Sequence, residues 1–489
     1  MLLKDYLPNI NKKFKNFNFS GLAFNSKEVK KNYIFIAIKG DRFDGNNYIN
    51  DAIKNGAKII ISSKFKDQIK NNIIYLKQKN PRQILSNLSS QIFKKKPQNL
   101  IAVTGTNGKT SIANFYYQIL KKNKKKVASF GTLGISGKKK IENTSNTTFD
   151  PIKIGKNLNY LEKKKINNVI LEASSHGLKQ HRLDGLKFDV GIFTNLSRDH
   201  LDYHKTLKDY LNAKLILFKK LMKKGSVAIF DEDTKYAEIL KNICKKNKIK
   251  KFTIGELNGD LLIEKYSIVD NKQELTFSFN KKKYNLKTQL IGKIQIKNLL
   301  MSILAAHKSN IKLDNILKSV ENIKAVPGRF EEIGNFKNNS IAILDYAHTP
   351  DALKTCVLNI KEQFKHRKVN LVFGCGGDRD KPKRSIMGKI ANDLCDKIYL
   401  TDDNPRTESP KKIRNNIKAK ILKSKLVEIP SRKKAIEKAI KDLRSDEILI
   451  VAGKGHENYQ EYKIKKFFSD KACMIDAIHK KNKKSVSYT

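Results

Sequence analysis

From Leu100 onward the chain repeats one pattern, in which a short apolar run stops at a glycine, a threonine or a carboxylate and a longer stretch with helical spacing follows. The runs Leu100–Val103, Asn168–Glu172, Asp189–Thr194 and Val227–Phe230 read as strands of this kind, and after V-P-G-R-F (Val326 to Phe330) the series restarts with Ile341–Asp345, Asn370–Gly374, Lys397–Thr401 and Ile448–Ala452. Strands that alternate with helices build a mostly parallel sheet covered on both faces, because a parallel neighbour is reached only through a crossover. A chain of 489 residues is too long for one core, since single cores stop growing at roughly 250 to 300 residues. Before the alternation lies a smaller unit of short strands, including Tyr33–Ile38 and Lys58–Ser62, closed by the charged, proline-ended run Lys94–Pro97. The expectation is an α/β protein of three domains: residues 1–97, a central P-loop ATPase-like sheet domain at 98–327, and a Rossmann-like domain at 328–489.

A net charge of +53 would ordinarily suggest nucleic acid, because dense cations neutralise phosphates and release counterions. Yet 12 arginines stand against 88 lysines, asparagine and isoleucine are abundant, tryptophan is absent, and the lysines are spread along the whole chain. Readers of bases and phosphates tend to use the arginine fork, so the excess charge reads as solvated surface and no nucleic-acid partner is expected. No apolar run approaches the roughly 18 residues of a membrane span, and M-L-L-K-D-Y-L-P-N lacks the apolar core of a secretory signal, so no membrane insertion is expected. Five dispersed cysteines without a C-x-x-C pair fit neither a disulfide framework nor a zinc site, which points to a reducing cytoplasm.

V-T-G-T-N-G-K-T-S, Val103 to Ser111, joins the first of these strands to a segment in which Ile112, Phe115, Tyr116, Ile119 and Leu120 recur at helical spacing. At such a junction unpaired N–H groups and the helix dipole favour an anion. Gly105, Thr106, Asn107 and Gly108 can curl round phosphates, Lys109 can reach the terminal ones, and the Thr110 hydroxyl can ligate Mg²⁺. Only two residues separate the glycines, where the usual loop has about four. The strand, loop, Lys-Thr pair and amphipathic helix nonetheless argue for a bound triphosphate over an ordinary glycine turn. Glu172 ends the next strand at the carboxyl edge of the sheet, where ligands of such sheets bind; beside a phosphate loop it is a candidate Mg²⁺ ligand rather than a solvated cap. His200 follows another strand end.

T-G-T-N-G-K-T, L-E-A-S-S-H-G-L-K-Q-H-R, T-N-L-S-R-D-H-L-D-Y-H and Y-L-N-A-K (Tyr210 to Lys214) occur in that order. In order and number these motifs resemble the central domain of the Mur ligases of bacterial cell-wall synthesis. The resemblance runs from S-K-E-V-K-K-N-Y-I-F-I-A-I-K-G (Ser26 to Gly40) to G-K-G-H-E (Gly453 to Glu457). It implies a cytoplasmic, monomeric enzyme that uses ATP to turn a carboxylate into an acyl phosphate, which an amino acid's amine attacks. It also implies that Lys109, Glu172, His200 and a carbamylated Lys214 are catalytic. Thr110 and Glu172 would hold one Mg²⁺, and Glu172, His200 and the CO₂-derived carbamate on Lys214 another. Asn298 would contact the adenine, and Arg329, Asp345 and His348 would reach the nucleotide from the third domain. The acceptor, UDP-N-acetylmuramoyl-L-alanyl-D-glutamate, would be held by Ser26 of the first domain and by Asn146, Thr147, Thr148, Ser174, Gln180 and Arg182. The first domain departs from the family in reading Asn25-Ser26-Lys27 for the usual Asp-Ser-Arg, and Gly40-Asp41 where Gly-His is common.

D-N-P-R, Asp403 to Arg406, follows a strand and would face the cleft. An arginine can grip the distal carboxylate of meso-diaminopimelate through two parallel hydrogen bonds, whereas lysine would leave a guanidinium unpaired. The motif resembles the signature of the diaminopimelate-adding members, with Asp403, Asn404, Pro405 and Arg406 joined by Arg379 as a second carboxylate binder and by Gly453 and Glu457 for the distal amine. Asp-Asn-Pro-Arg as a plain turn is the alternative at this position. The alternatives for the whole chain are ligation of L-lysine, another Mur or folylpolyglutamate-type ligase, and a nucleic-acid-stimulated P-loop ATPase.

Overall fold

The computed structural model describes residues 1–40, 43–137, 146–336 and 338–486. Its framework is three stacked α/β layers with a sheet of five, ten and six strands respectively, plus a small two-stranded hairpin. Asn168–Glu172, Ile341–Asp345 and Ile448–Ala452 are strands with the bounds that the apolar runs predict. The other expected strands shift by a few residues, such as Asn99–Thr104 and Phe188–Phe193.

The ten-stranded sheet explains where a site can form. Strand Asn99–Thr104 lies between Phe188–Phe193 and Asn168–Glu172, all parallel, with Thr104 opposite Phe193 and Val103 opposite Glu172. The chain leaves this central strand first to one side and later to the other, so the strand ends part there and open a crevice. Alternate side chains of the central strand face opposite cores: Ile101 and Val103 pack under helices Lys109–Lys122 and Lys293–Lys308, while Leu100 and Ala102 join the opposite face. Ile112, Phe115, Tyr116, Ile119 and Leu120 are all buried, at about 1.5–3 kcal/mol for each large apolar side chain, which pins the start of the first helix over the strand end.

An antiparallel meander that the alternation of strands and helices does not predict, Leu261–Val269, Lys272–Phe279 and Lys282–Thr288, extends one edge of this sheet. Its turns sit at Asp270-Asn271 and Asn280-Lys281, all four residues with positive φ, the backbone of tight hairpins. Asn and Asp supply that conformation without glycine, so the familiar Asn-Gly signal is missing.

In the third layer, strand Glu331–Asn335 runs antiparallel at the edge and Ile341–Asp345, Ile448–Ala452, Val369–Phe373, Lys397–Leu400 and Leu426–Glu428 follow in parallel. Their carboxyl ends carry Asp345, Gly453 and the loops that contain Arg379 and Asp403. The layer is clamped to the central one where Gln363 Oε1 accepts from the Gly292 N–H at 2.7 Å and Asn359 Oδ1 accepts from Ile294 at 3.0 Å. Two side chains of helix Pro350–Gln363 thereby satisfy amides at the start of helix Lys293–Lys308.

Beneath this third sheet Arg432 donates to both carboxylate oxygens of Asp470, at 2.8 and 2.6 Å, and to the Ala452 carbonyl at 2.9 Å. Both side chains of the pair are fully buried. Removing one partner strands a charge in the interior, so Asp470→Ala is expected to lower unfolding free energy by about 3–5 kcal/mol in denaturant titration. A loss below about 1 kcal/mol would place the pair in contact with water instead.

Candidate active site

The glycine loop closes on the strand end through a set of short bonds. Gly108 has φ 86° and precedes helix Lys109–Lys122 with no side-chain cap, which leaves the first amides of the helix for an outside acceptor. A Cβ on Gly105, at φ 149°, would lie 1.8 Å from Thr194 Oγ1, and one on Gly108 would lie 2.5 Å from Asn298 Oδ1. The loop is braced from the neighbouring strand: Thr106 N donates to Asn195 O at 3.0 Å, Asn107 N to Asn195 Oδ1 at 3.0 Å, and Thr194 Oγ1 to Asn107 O at 2.5 Å.

Glu172 is buried with one carboxylate oxygen accepting from Thr110 Oγ1 at 3.0 Å and Thr132 Oγ1 at 3.1 Å, and the other accepting from Thr132 N at 2.9 Å. Burial pushes its carboxyl upward, opposed by the Lys109 ammonium and these hydrogen bonds. Lys109 Nζ and Lys214 Nζ both donate to the Gly105 carbonyl, at 2.8 and 2.7 Å, and Lys109 donates also to Thr106 O at 2.8 Å. Burial, and after it the nearby Lys109, drive Lys214 well below an ordinary lysine against the pull of Asp199. Lys214 also lies 4.0 Å from the centre of the Tyr210 ring, whose further neighbours include His204, at 5.0 Å, and His200, at 6.1 Å. Burial lowers His200 to about 4 against the pull of Asp199, whose Oδ2 lies 3.4 Å from His200 Nε2.

Among the described residues no three His, Cys, Asp or Glu side chains gather as a metal cluster. One buried carboxylate and an adjacent hydroxyl suit Mg²⁺, which takes oxygen ligands, often only one or two carboxylates, and draws the rest from phosphate and water.

A cavity of about 960 Å³ opens between the first and central layers. Ser26, Asn146, Gln180 and Arg182 all line it. Thr148 connects it to Glu172: its hydroxyl donates to the Glu172 carbonyl at 2.7 Å, and its own carbonyl accepts from Arg182 Nη1 at 2.5 Å. Ser174 N donates to Thr148 Oγ1 at 2.9 Å, and Thr147 Oγ1 lies 3.2 Å from Thr132 Oγ1. Asn25 Oδ1 accepts from Lys27 N at 3.1 Å, so the asparagine at this position still caps the turn that presents Ser26. Asp41 lies outside the described residues.

From the third layer, the Asp345 carboxylate accepts from Phe330 N and Ala347 N, both at 2.8 Å, and Arg329 stacks 4.0 Å over Tyr346. His348 Nδ1 lies 2.9 Å from the Tyr346 carbonyl. Asn298, Thr194 and Asn195 of the central layer share a second cavity, of about 350 Å³, with Thr355 and Asn359 of the third. Farther along the third sheet, Asn404 Nδ2 donates to Glu457 Oε2 at 3.1 Å, and Asp403 Oδ2 would be 2.8 Å from a Cβ on Gly453. Arg406 Nη1 donates to Gly377 O at 2.7 Å, and the Pro405 carbonyl packs against Gly377 where any side chain would clash. Arg379 stands apart: it is exposed, and its Nη1 reaches only its neighbour's carbonyl, Asp378 O, at 3.5 Å.

Several groups at the site carried no sequence signal strong enough to single them out. Thr132 sits at a hairpin turn, and Lys454 is one of 88 lysines, yet its buried Nζ donates to Asn404 Oδ1 and Glu457 Oε2, each at 3.0 Å. His176, within the quoted L-E-A-S-S-H-G-L, stacks on Tyr203 at 4.1 Å and meets His200 edge-on at 4.9 Å. The strand-end position of that motif was the available clue.

Comparison with known proteins places this geometry. Three family models match in order: Mur ligase family, catalytic domain, over residues 18–96; Mur ligase middle domain over 103–306; and Mur ligase, glutamate ligase domain over 328–455. The chain belongs to the Mur ligase family. Among its curated relatives, proteins named UDP-N-acetylmuramoyl-L-alanyl-D-glutamate--2,6-diaminopimelate ligase from Rickettsia typhi and Rickettsia conorii are each 41% identical to it. The alignment covers 92% of this chain and 92% of the first relative, and 96% and 97% for the second. A solved structure of a ligase of the same name superposes with a TM-score of 0.71 at 30% identity, covering 98% of this chain and 99% of that one.

If the glycine loop holds the nucleotide, Gly108→Ala should push a methyl into Asn298 and strain the left-handed turn. ATP affinity measured by calorimetry should fall at least about tenfold, or about 1.4 kcal/mol, with the circular dichroism of the parent retained. Undiminished affinity would show that Gly108 does not frame the phosphates.

Proposed function

We propose that the chain joins meso-diaminopimelate to the D-glutamyl carboxylate of UDP-N-acetylmuramoyl-L-alanyl-D-glutamate at the expense of ATP, as an early cytoplasmic step in peptidoglycan precursor synthesis. One observation carries the reading. Glu172 accepts from the loop hydroxyl of Thr110 with its side chain and from Thr148, whose carbonyl holds the cavity-lining Arg182, with its main chain, so the two proposed substrate sites meet at a single residue. The names of the relatives supply the substrates.

In this reading the acceptor lies in the large cavity between the first two layers, on Ser26, Asn146, Thr147, Thr148, Ser174, Gln180 and Arg182. ATP lies along Gly105 to Thr110, with its adenine toward Asn298. Arg329, Asp345 and His348 face it from the third layer. An acceptor carboxylate oxygen takes the terminal phosphoryl group and ADP leaves. The amine of the incoming amino acid then forms a bond to the acyl carbon, the bond from that carbon to the phosphate oxygen breaks, and the amine loses a proton. Position and charge neutralisation dominate such transfers, so the loop amides and Lys109 suffice without a protein nucleophile. Closure of the third layer excludes water from the hydrolysable intermediate.

Thr110 and Glu172 would hold one Mg²⁺, and Glu172, His200 and Lys214 a second once Lys214 is carbamylated; bound Mg²⁺ supplies positive charge to the phosphates. Carbamylation joins the deprotonated Lys214 amine to the carbon of CO₂ with loss of one further proton, and gives the side chain the anionic oxygens that an ammonium lacks. Diaminopimelate would lie against Asp403, Asn404, Pro405, Arg406, Gly453 and Glu457, with Arg379 able to join only by swinging in from solvent. The working unit is a monomer divided into 1–97, 98–327 and 328–489. No described helix is long and apolar enough to cross a membrane.

The experiment is phosphate release from ATP. Turnover should require both the UDP-linked acceptor and meso-diaminopimelate, ignore added DNA or RNA, and fall by at least about a hundredfold in Lys214→Ala, a loss of about 2.7 kcal/mol of transition-state stabilisation. Turnover driven by nucleic acid alone, or undiminished in Lys214→Ala, would overturn the assignment.

A further inference from the structure

Arg406, the residue read above as the selector of the distal carboxylate, already has a carboxylate beside it. Its Nε lies 3.3 Å from Glu461 Oε2, and neither side chain is widely exposed, at 19% and 26%. The pairing is built into the backbone. Arg406 has φ 56° and its N–H donates to the Glu461 carbonyl at 3.0 Å, while the Glu461 N–H donates to Asn404 Oδ1 at 2.9 Å. Glu461 ends the first strand of the hairpin Tyr459–Glu461 with Lys465–Phe467, so that hairpin is laced to the D-N-P-R loop. The opposite edge of the guanidinium is spent on the Gly377 carbonyl.

An arginine rejects a ligand that lacks the matching carboxylate because its own charge is then left unpaired in a partly dry cleft. A resident carboxylate removes part of that penalty. With L-lysine bound, Glu461 keeps Arg406 paired; with diaminopimelate bound, Glu461 competes for the guanidinium and repels the incoming carboxylate. We infer that Glu461 is a specificity-determining residue that stands in for the distal carboxylate at Arg406 and narrows the preference for diaminopimelate over amino acids that end in an amine alone. The inference rests on the site reading under Proposed function and adds to it the residue that sets the degree of selectivity.

The test measures kcat and KM for meso-diaminopimelate and L-lysine at fixed ATP and acceptor, with an inhibition constant for lysine if it is not turned over. The enzymes compared are the parent, Glu461→Gln, Glu461→Asp, Arg406→Gln and the Arg406→Gln/Glu461→Gln double variant. Glu461→Gln should raise the diaminopimelate-to-lysine ratio about tenfold, mostly through a lower KM for diaminopimelate with kcat within about twofold, as expected for a lost charge contact to a bound ligand. Glu461→Asp should fall between, and the gain should vanish when Arg406 is already glutamine. A ratio that is unchanged or lower in Glu461→Gln, or an equal gain in the Arg406→Gln background, would overturn the inference. No turnover of meso-diaminopimelate by the parent would instead overturn the site reading on which it rests.

Discussion

A single carboxylate removed from water organises the centre of this molecule. Glu172 ends a strand whose register places it opposite Val103, at the strand that feeds the phosphate loop. There it gathers the helix-start hydroxyl of Thr110 and the hairpin-turn amide and hydroxyl of Thr132. A buried carboxylate with no such partners would be costly enough to protonate or to drag in solvent. Its three hydrogen bonds and the neighbouring Lys109 therefore tie the loop, hairpin and strand to one geometry. Because Thr148 hangs from the carbonyl of the same residue and holds Arg182, one wall of the large cavity inherits that geometry.

Around this carboxylate the charges are arranged for a ligand more anionic than the protein itself supplies. Two lysines crowd one carbonyl, Gly105 O, and burial lowers both of them, Lys214 further. Arg329 approaches from the third layer and lowers Lys109 further. In the proposed reading a triphosphate with its counter-cations restores the balance. The helix-start clamp of Gln363 and Asn359 joins the third layer to the central one beside the cavity that Asn298 lines.

Much of this was legible in the chain because the parallel strands are buried on both faces, so their apolar runs are continuous and stop at the chemical residues. Glu172, Asp345 and Ala452 end their strands where the runs end. What escaped has physical reasons. The edge meander is half-solvated, and its turns use Asn, Asp and Lys at positive φ in place of glycine. Glu461 meets Arg406 and Asn404 only through the fold, as Lys454 meets Asn404, and in a chain with 88 lysines a buried one cannot be told from a solvated one by composition. Arg379 was singled out by its motif but lies in solvent, since nothing in a local sequence says which way a loop arginine turns. Asn25 shows the converse: a departure from the usual residue that keeps its turn-capping bond, because only the side-chain oxygen is used.

In the proposed reaction the acceptor carboxylate faces the terminal phosphate across Glu172 and becomes phosphorylated before the amine attacks. Labelling that carboxylate with heavy oxygen and running the reaction with ATP and meso-diaminopimelate tests it most directly. One labelled oxygen should be recovered in inorganic phosphate by mass spectrometry, in step with amide formation. Label retained wholly in the peptide product, with unlabelled phosphate, would contradict it.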